Sequence, residues 1–101
     1  MATTTKALFR GAATTTVGTT LYTVPAATTT VVTNIVVTNT AGSAGTFTIS
    51  LGGTNFATTV TVGSYDSTVI DLKQVLTATQ TITGGASATT INFHISGVEI
   101  A

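Results

Sequence analysis

The sequence contains no cysteine and no tryptophan, one proline and only 6% charged residues. Without cysteine there can be no disulfide bond, thiolate nucleophile or cysteine-based metal site, so packing alone must stabilise the fold. The formal net charge is zero, which argues against binding to nucleic acid or to an anionic membrane. No apolar stretch has the length of a membrane span or of a secretory signal. We therefore expect a protein made in the cytoplasm.

Threonine is abundant instead, and hydrophobic residues make up 43% of the chain. Because threonine is β-branched and suits a pleated surface, the composition favours strands over helices. With few charges, the solvated surface must consist mainly of hydroxyl groups, and copies of the chain repel one another only weakly. A chain of 101 residues has room for one domain. We expect that domain to work in an assembled form.

Residues 28–53 are expected to form a hairpin around the small-residue turn Asn39–Gly45, in which asparagine and glycine tolerate positive φ. The second arm alternates apolar and hydroxyl-bearing residues, which predicts a half-buried strand. Its apolar members are Phe47, Ile49 and Leu51.

The first arm, Thr30–Asn39, carries apolar residues on both faces. Val31, Ile35 and Val37 lie on one face. Val32 and Val36 lie on the other. A strand of this kind is central in its sheet or meets another subunit. Val32 and Val36 are therefore candidate interface residues.

The last strand changes its pattern near its end. In residues 91–95 the apolar side chains have odd numbers, whereas Val98 and Ile100 have even numbers. This change predicts a β-bulge at Ser96–Gly97, or a strand that crosses to a second surface or a partner. Val98 and Ile100 are therefore also candidate interface residues.

Taken together, the strand and turn patterns predict about eight strands with turns roughly every 8–12 residues. We expect an all-β fold, a single antiparallel β-sandwich or jelly-roll-like domain over residues 6–101. Residues 1–5 are expected to form a flexible N-terminal arm. A helix over residues 73–80 would be short and has no capping signal.

Residues that could carry chemistry are few and scattered. His94 is the single histidine, and it projects from a polar strand face with no acid nearby in sequence, so we interpret it as a surface or interface residue. We expect Asp66 to bond its own turn and Asp71 to face Lys73 or solvent. The sequence thus indicates no catalytic residue, no metal site and no cofactor, and we expect a protein that is not an enzyme.

Two residue pairs could contact partners. Tyr22 and Tyr65 could stack on sugars, although tyrosines in a sandwich more often lie in the core or an interface. Lys6 and Arg10 are too few to hold nucleic acid, but they could anchor the terminal strand on an acidic neighbouring surface.

Four segments together resemble a group of small structural proteins of phage virions. They are Leu21–Ala26 (LYTVPA), Thr33–Thr40 (TNIVVTNT), Thr46–Ser50 (TFTIS) and Ile95–Glu99 (ISGVE). The resemblance covers most of residues 20–99 and assigns no catalytic residue. It implies a capsid decoration or cement protein located in the virion, commonly a trimer, that contacts its own copies and the major capsid protein or other virion proteins. The alternative within this group is a tail, baseplate or fibre module, and the alternative outside it is a carbohydrate-binding module.

Overall fold

A computed structural model describes residues 2–101, which contain eight β-strands and no helix. The strands are β1 (Thr3–Ala12), β2 (Thr20–Thr23), β3 (Thr29–Asn39), β4 (Gly45–Leu51), β5 (Thr54–Val62), β6 (Ser67–Leu76), β7 (Thr81–Ala86) and β8 (Ile91–Ile100). Accordingly, these residues include no helix that is long and apolar enough to cross a membrane. The prediction of an all-β chain with about eight strands is confirmed.

The strands form two antiparallel sheets of four, β1-β8-β3-β6 (sheet one) and β2-β7-β4-β5 (sheet two). The first half of the chain pairs with the second half in reverse order, β1 with β8, β2 with β7, β3 with β6 and β4 with β5. The chain is therefore one long hairpin, rolled up so that β3 also pairs with β8 and β4 with β7. This is the connectivity of a jelly roll, a sandwich of two sheets.

The core lies between the two sheets in a body that measures 46 × 21 × 18 Å. Phe47 of β4 and Phe93 of β8 meet edge to face across it, with ring centroids 6.1 Å apart. Apart from Thr30, the other large side chains that are fully buried are aliphatic and include Ile35, Ile49, Ile82, Ile91, Ile95, Val24, Val37 and Val62. The alternating apolar residues of both sheets thus supply one continuous core.

The expected hairpin over residues 28–53 is wrong, because β3 belongs to sheet one and β4 to sheet two. The connection crosses between the sheets at Asn39, which is buried. Its side-chain nitrogen, Nδ2, donates to the backbone oxygens of Ser43 at 2.8 Å and Val62 at 3.3 Å. Its side-chain oxygen, Oδ1, accepts from the backbone N–H of Ala41 at 3.0 Å. The central position expected for β3 is confirmed, since it lies between β8 and β6.

β3 contains a bulge at Thr33, which its pairing with β8 skips. A bulge shifts the alternation of side chains by one residue. Val32, before the bulge, and Ile35, after it, therefore both lie in the core. Val36 lies on the opposite, outer side together with Val31. The expectation that Val32 and Val36 share an exposed face is wrong, because Val32 is fully buried.

Along the whole of β8, odd-numbered side chains point to the core and even-numbered ones to the outer side. The bulge expected at Ser96–Gly97 is therefore also wrong. The extra residues lie in its neighbours instead, Leu8 in β1 and Thr33 in β3. A Cβ atom at position 97 would lie 2.5 Å from the Val31 carbonyl oxygen. Glycine at this position therefore makes room for the close approach of β3.

Because β8 is continuous, Val98 and Ile100 lie on the outer side of sheet one together with the earlier even-numbered residues of the strand. Glu99 lies on the inner side, towards sheet two, where its side chain meets Tyr22 of β2. The apolar residues at the end of β8 are thus an extension of the outer face, without a crossing to another surface.

The N-terminus is part of sheet one. β1 begins at Thr3, earlier than Lys6, and residues 3–5 pair with residues 98–100 of β8. Ala2 exchanges two backbone hydrogen bonds with Ala101, at 2.9 and 2.8 Å. Of the arm expected over residues 1–5, residues 2–5 therefore belong to the sandwich, and Met1 lies outside the described residues.

Candidate functional site

The outer side of sheet one carries a cluster of aliphatic side chains that remain at least partly exposed. It consists of Val31 and Val36 on β3, Val69 and Val75 on β6, and Val98 and Ile100 on β8. We call this set the valine face. Val69 and Val75 are 62% and 60% exposed. The polar row of Ser96, Asn34 and Asp71 lies between Val36 and Val69 and the other four residues, so the valine face consists of two apolar groups on one side of the sheet.

Strand register brings these residues together. Val31 pairs with Val98 on one side and with Val75 on the other, so that three valines form a row across three strands. Cross-strand pairs of β-branched residues favour the sheet itself. The same row presents an apolar strip to the outside.

A second row crosses all four strands of sheet one. It contains Arg10, His94, Val36 and Val69, each paired with the next. His94 is half-buried in this row. Among residues 2–101 no three His, Cys, Asp or Glu side chains form a group that could hold a metal ion. His94 thus lies between Arg10 and Val36 in the sheet, outside any group of metal-ligating side chains among these residues.

The two basic residues of β1 point to opposite sides of the sheet. Lys6 Nζ lies 3.4 Å from Glu99 Oε2 on the inner side, and this is the one salt bridge within residues 2–101. Arg10 is exposed on the outer side, at the end of the row that contains His94. Arg10 is therefore available to an acidic neighbour, whereas Lys6 already has a carboxylate partner.

Tyr22 joins the two sheets through its hydroxyl group. This group donates to Glu99 Oε2 at 2.5 Å and accepts from the Thr30 hydroxyl at 2.8 Å. Burial raises the pKa of Tyr22, and the hydrogen bond to Glu99 raises this pKa further. The pKa of Glu99 is lowered, chiefly by the hydrogen bond from the Tyr22 hydroxyl; burial opposes this effect, and Lys6 lowers the pKa further. The cluster thus links the two sheets through the Tyr22 hydroxyl and Glu99 Oε2.

Of the two tyrosines considered for sugar binding, only Tyr65 is exposed. Tyr22 is buried in the cluster just described, so its ring cannot stack on a sugar. Tyr65 lies in the turn before β6 and is 78% exposed. A stacking platform usually combines several aromatic and polar groups. The carbohydrate alternative therefore depends on a single ring.

The two aspartates are separate from one another. Asp66 Oδ1 accepts from the Ser67 amide at 2.8 Å, so its side chain bonds its own turn as expected. Asp71 Oδ1 accepts from the Asn34 side-chain amide at 3.3 Å. Asp71 is exposed on the outer side of sheet one, so it faces solvent as one of the two expectations held, and its hydrogen-bond partner is Asn34 on β3, not Lys73.

Sheet two has a shallow depression of about 240 Å³ on its outer side. It is lined by Thr15, Val17, Thr46, Phe47, Thr48, Thr59, Gly85, Ala86 and Ser87. Its floor lies under the β1–β2 connection, since a Cβ atom on Gly85 would be 2.5 Å from the Thr16 carbonyl oxygen. The lining contains no charged or imidazole group, and the volume is below the usual range for small-molecule sites. The depression therefore offers no acid–base pair.

Comparison with known proteins finds no family model that matches the chain and no curated protein with significant similarity to it.

Four of the six candidate interface residues lie on the outer side of sheet one. They are Arg10, Val36, Val98 and Ile100. Lys6 and Val32 do not, because Lys6 pairs with Glu99 and Val32 is in the core. Sequence reasoning missed Val69 and Val75. The alternation of Val69 and Asp71 with Ile70 and Leu72 was a signal that could have placed Val69 on the outer side.

Proposed function

We propose that the chain is a non-enzymatic structural protein of a phage virion, a capsid decoration or cement protein that binds the major capsid protein as a homo-oligomer. The observation that carries this proposal is the valine face, two groups of at least partly exposed aliphatic side chains on one side of a sandwich with only 6% charged residues. It agrees with the resemblance of residues 20–99 to small virion proteins. The jelly roll is also used in viral capsid domains, which supports the proposal by analogy of fold only.

The strength of the contact can be estimated from burial. Covering a side chain that is more than half exposed, such as Val69 or Val75, contributes about 1 kcal/mol, and the four partly buried members contribute less, so the valine face contributes about 4 kcal/mol in all. Association costs about 4–15 kcal/mol. One copy would thus bind weakly through this face alone. Several joined copies would bind tightly through avidity, which favours an oligomer on a repetitive surface such as a capsid.

The hydroxyl-rich and neutral surface supports the same role. Threonine side chains on the remaining faces keep the domain solvated, while the lack of net charge limits repulsion between neighbouring copies. A protein that must pack at high local density on a particle benefits from both properties.

The proposal is tested by electron cryomicroscopy of purified particles of the phage that encodes this chain. We expect copies of an eight-stranded sandwich at regular positions on the capsid, with the valine face towards the shell. Density on the tail instead would favour the tail, baseplate or fibre module. Mass spectrometry of the same particles provides the control, because a chain absent from washed virions would contradict a structural role altogether.

A further inference from the structure

Sheet one ends in two free edges of equal length. β1 and β6 each contain ten residues, and within residues 2–101 β1 pairs only with β8 and β6 only with β3. A free edge presents unpaired backbone N–H and C=O groups that can pair with another strand. Each of these edges therefore offers a ladder for a further strand.

The edge strands of sheet two are less suited to pairing with another copy than those of sheet one. Its edge strand β2 has only four residues, and its other edge strand, β5, has two register shifts against β4. Short strands and bulges are the means by which proteins keep edges from pairing. β1 and β6 have one register shift each, and the single proline of the chain, Pro25, lies in neither strand.

We propose that copies of this chain join edge to edge, β1 of one copy beside β6 of the next, so that sheet one continues from copy to copy. Neighbouring strands of sheet one are all antiparallel, so β1 and β6 run in opposite directions. When a second copy is placed beside the first in the same orientation, its β1 is therefore antiparallel to β6, as the continuing sheet requires.

Charge sets the register of this contact. Arg10 on β1 and Asp71 on β6 are both exposed and both on the outer side of the sheet. Opposite charges directly across an antiparallel pair stabilise it. Placing Arg10 of one copy opposite Asp71 of the next gives each charge a partner of opposite sign. The same register sets Ala12 opposite Val69, which is 62% exposed in the single chain.

The inner side of the sheet fits the same register. It places Phe9 of one copy opposite Leu72 of the next, and Gly11 opposite Ile70. Phe9, Ile70 and Leu72 are partly buried and contact the rim of the core. Each edge thus carries apolar side chains that its own sandwich covers only in part, and the contact between copies would complete their burial. Glycine opposite isoleucine leaves room for the larger side chain.

Cysteine cross-linking tests the contact directly, because the chain has no cysteine of its own. The two edges of a four-stranded sheet are about 14 Å apart, too far for a disulfide within one chain, which needs Cα atoms closer than about 7 Å. In the double variant Arg10→Cys/Asp71→Cys, mild oxidation should therefore produce disulfide-linked dimers and larger species on non-reducing gels.

Three controls accompany the double variant. The single variant Arg10→Cys detects contacts between two copies of β1. The single variant Asp71→Cys detects contacts between two copies of β6. Arg10→Cys/Thr61→Cys places the second cysteine on the edge strand of sheet two. If a control cross-links as well as the double variant does, the proposed contact is wrong. Circular dichroism of each variant confirms the fold before oxidation.

A charge swap gives an independent measurement in solution. Arg10→Asp and Asp71→Arg each place like charges opposite one another, and we expect each to weaken self-association roughly tenfold in sedimentation velocity. The double swap Arg10→Asp/Asp71→Arg restores opposite charges and should recover the wild-type behaviour. A wild type that stays monomeric at every concentration, or a double swap without recovery, would overturn the proposal. Because no virion is present, this outcome is independent of the proposed capsid role.

Discussion

The Tyr22 hydroxyl donates a hydrogen bond of 2.5 Å to the Glu99 carboxylate, across the two sheets and 77 residues of sequence. β2 supplies the tyrosine and β8 the glutamate. Thr30 and Lys6 complete the group. In a chain with so few charges, this cluster is the main polar link between the sheets, and it occupies the edge where the first and last strands of the chain pair.

Removing the hydroxyl group should destabilise the fold. In Tyr22→Phe, Glu99 and Thr30 both lose a partner, and we expect the free energy of unfolding to fall by about 1–2 kcal/mol. Chemical denaturation measures this change. Tyr65→Phe is the matched control, because the Tyr65 side chain is exposed and should change stability by less than about 0.5 kcal/mol. Equal effects of the two substitutions would contradict the role assigned to Tyr22.

Because the pKa of Glu99 is lowered in the folded state, the free energy of unfolding should depend on pH in the acidic range. A carboxyl group with a lower pKa in the folded state stabilises the fold at pH above its unfolded value, 4.5, and this contribution is lost as the pH falls through the folded-state pKa. We expect stability to decline below about pH 4.5 and Glu99→Gln to flatten that part of the profile. Tyr22→Phe should flatten it more than Lys6→Met, since Tyr22 is the larger cause of the shift.

The bulge at Thr33 places Val32 and Val36 on opposite sides of sheet one, which substitutions can verify. Val32→Ala removes two methyl groups from a fully buried side chain and should cost about 2 kcal/mol. Val36→Ala, on the outer side, should cost less than about 1 kcal/mol. Thermal unfolding of the two variants gives the comparison. A larger loss for Val36→Ala would mean that the alternation in β3 has been assigned the wrong way round.

Gly97 should not tolerate a side chain. A Cβ atom there would lie 2.5 Å from a backbone oxygen and 2.8 Å from the Leu8 side chain, so Gly97→Ala should destabilise the fold by about 1–3 kcal/mol. Gly18→Ala serves as the control, because an added Cβ atom meets nothing within 4 Å. If both variants unfold at the same denaturant concentration, the close approach of β3 and β8 is not as described.

The alternating strand pattern made the fold class predictable. It did not show which strands pair with one another. The alternation of Phe47, Ile49 and Leu51 identified β4, but nothing in the sequence shows that β3 and β4 belong to different sheets. Pairing between distant segments depends on the packing of the whole core. The connection at Asn39 looked like a hairpin turn because the same residue types, asparagine and glycine, serve both purposes.

The errors at the candidate site concern bulges. The change of pattern in β8 does not mark a bulge in this strand, because β8 keeps its alternation and Val98 and Ile100 are apolar residues of its outer side; the bulges lie in the neighbouring strands, at Leu8 and Thr33. The bulge at Thr33 within β3 itself, which the sequence does not reveal, hid the burial of Val32. The Tyr22–Glu99 pair could not be predicted either, because it requires two residues on different sheets to meet.

The central claim is that the valine face attaches the protein to its particle. It is tested most directly by co-sedimentation with particles that lack the protein, comparing the wild type with Val36→Asp and with Val75→Asp. The Val75 side chain is 60% exposed, so this substitution should affect folding less than Val36→Asp does. Thr61→Asp, exposed on sheet two, is the control. We expect the wild type and Thr61→Asp to bind saturably and both valine variants to bind at least roughly tenfold more weakly. Equal binding of all four proteins, or no binding of the wild type, would contradict the account.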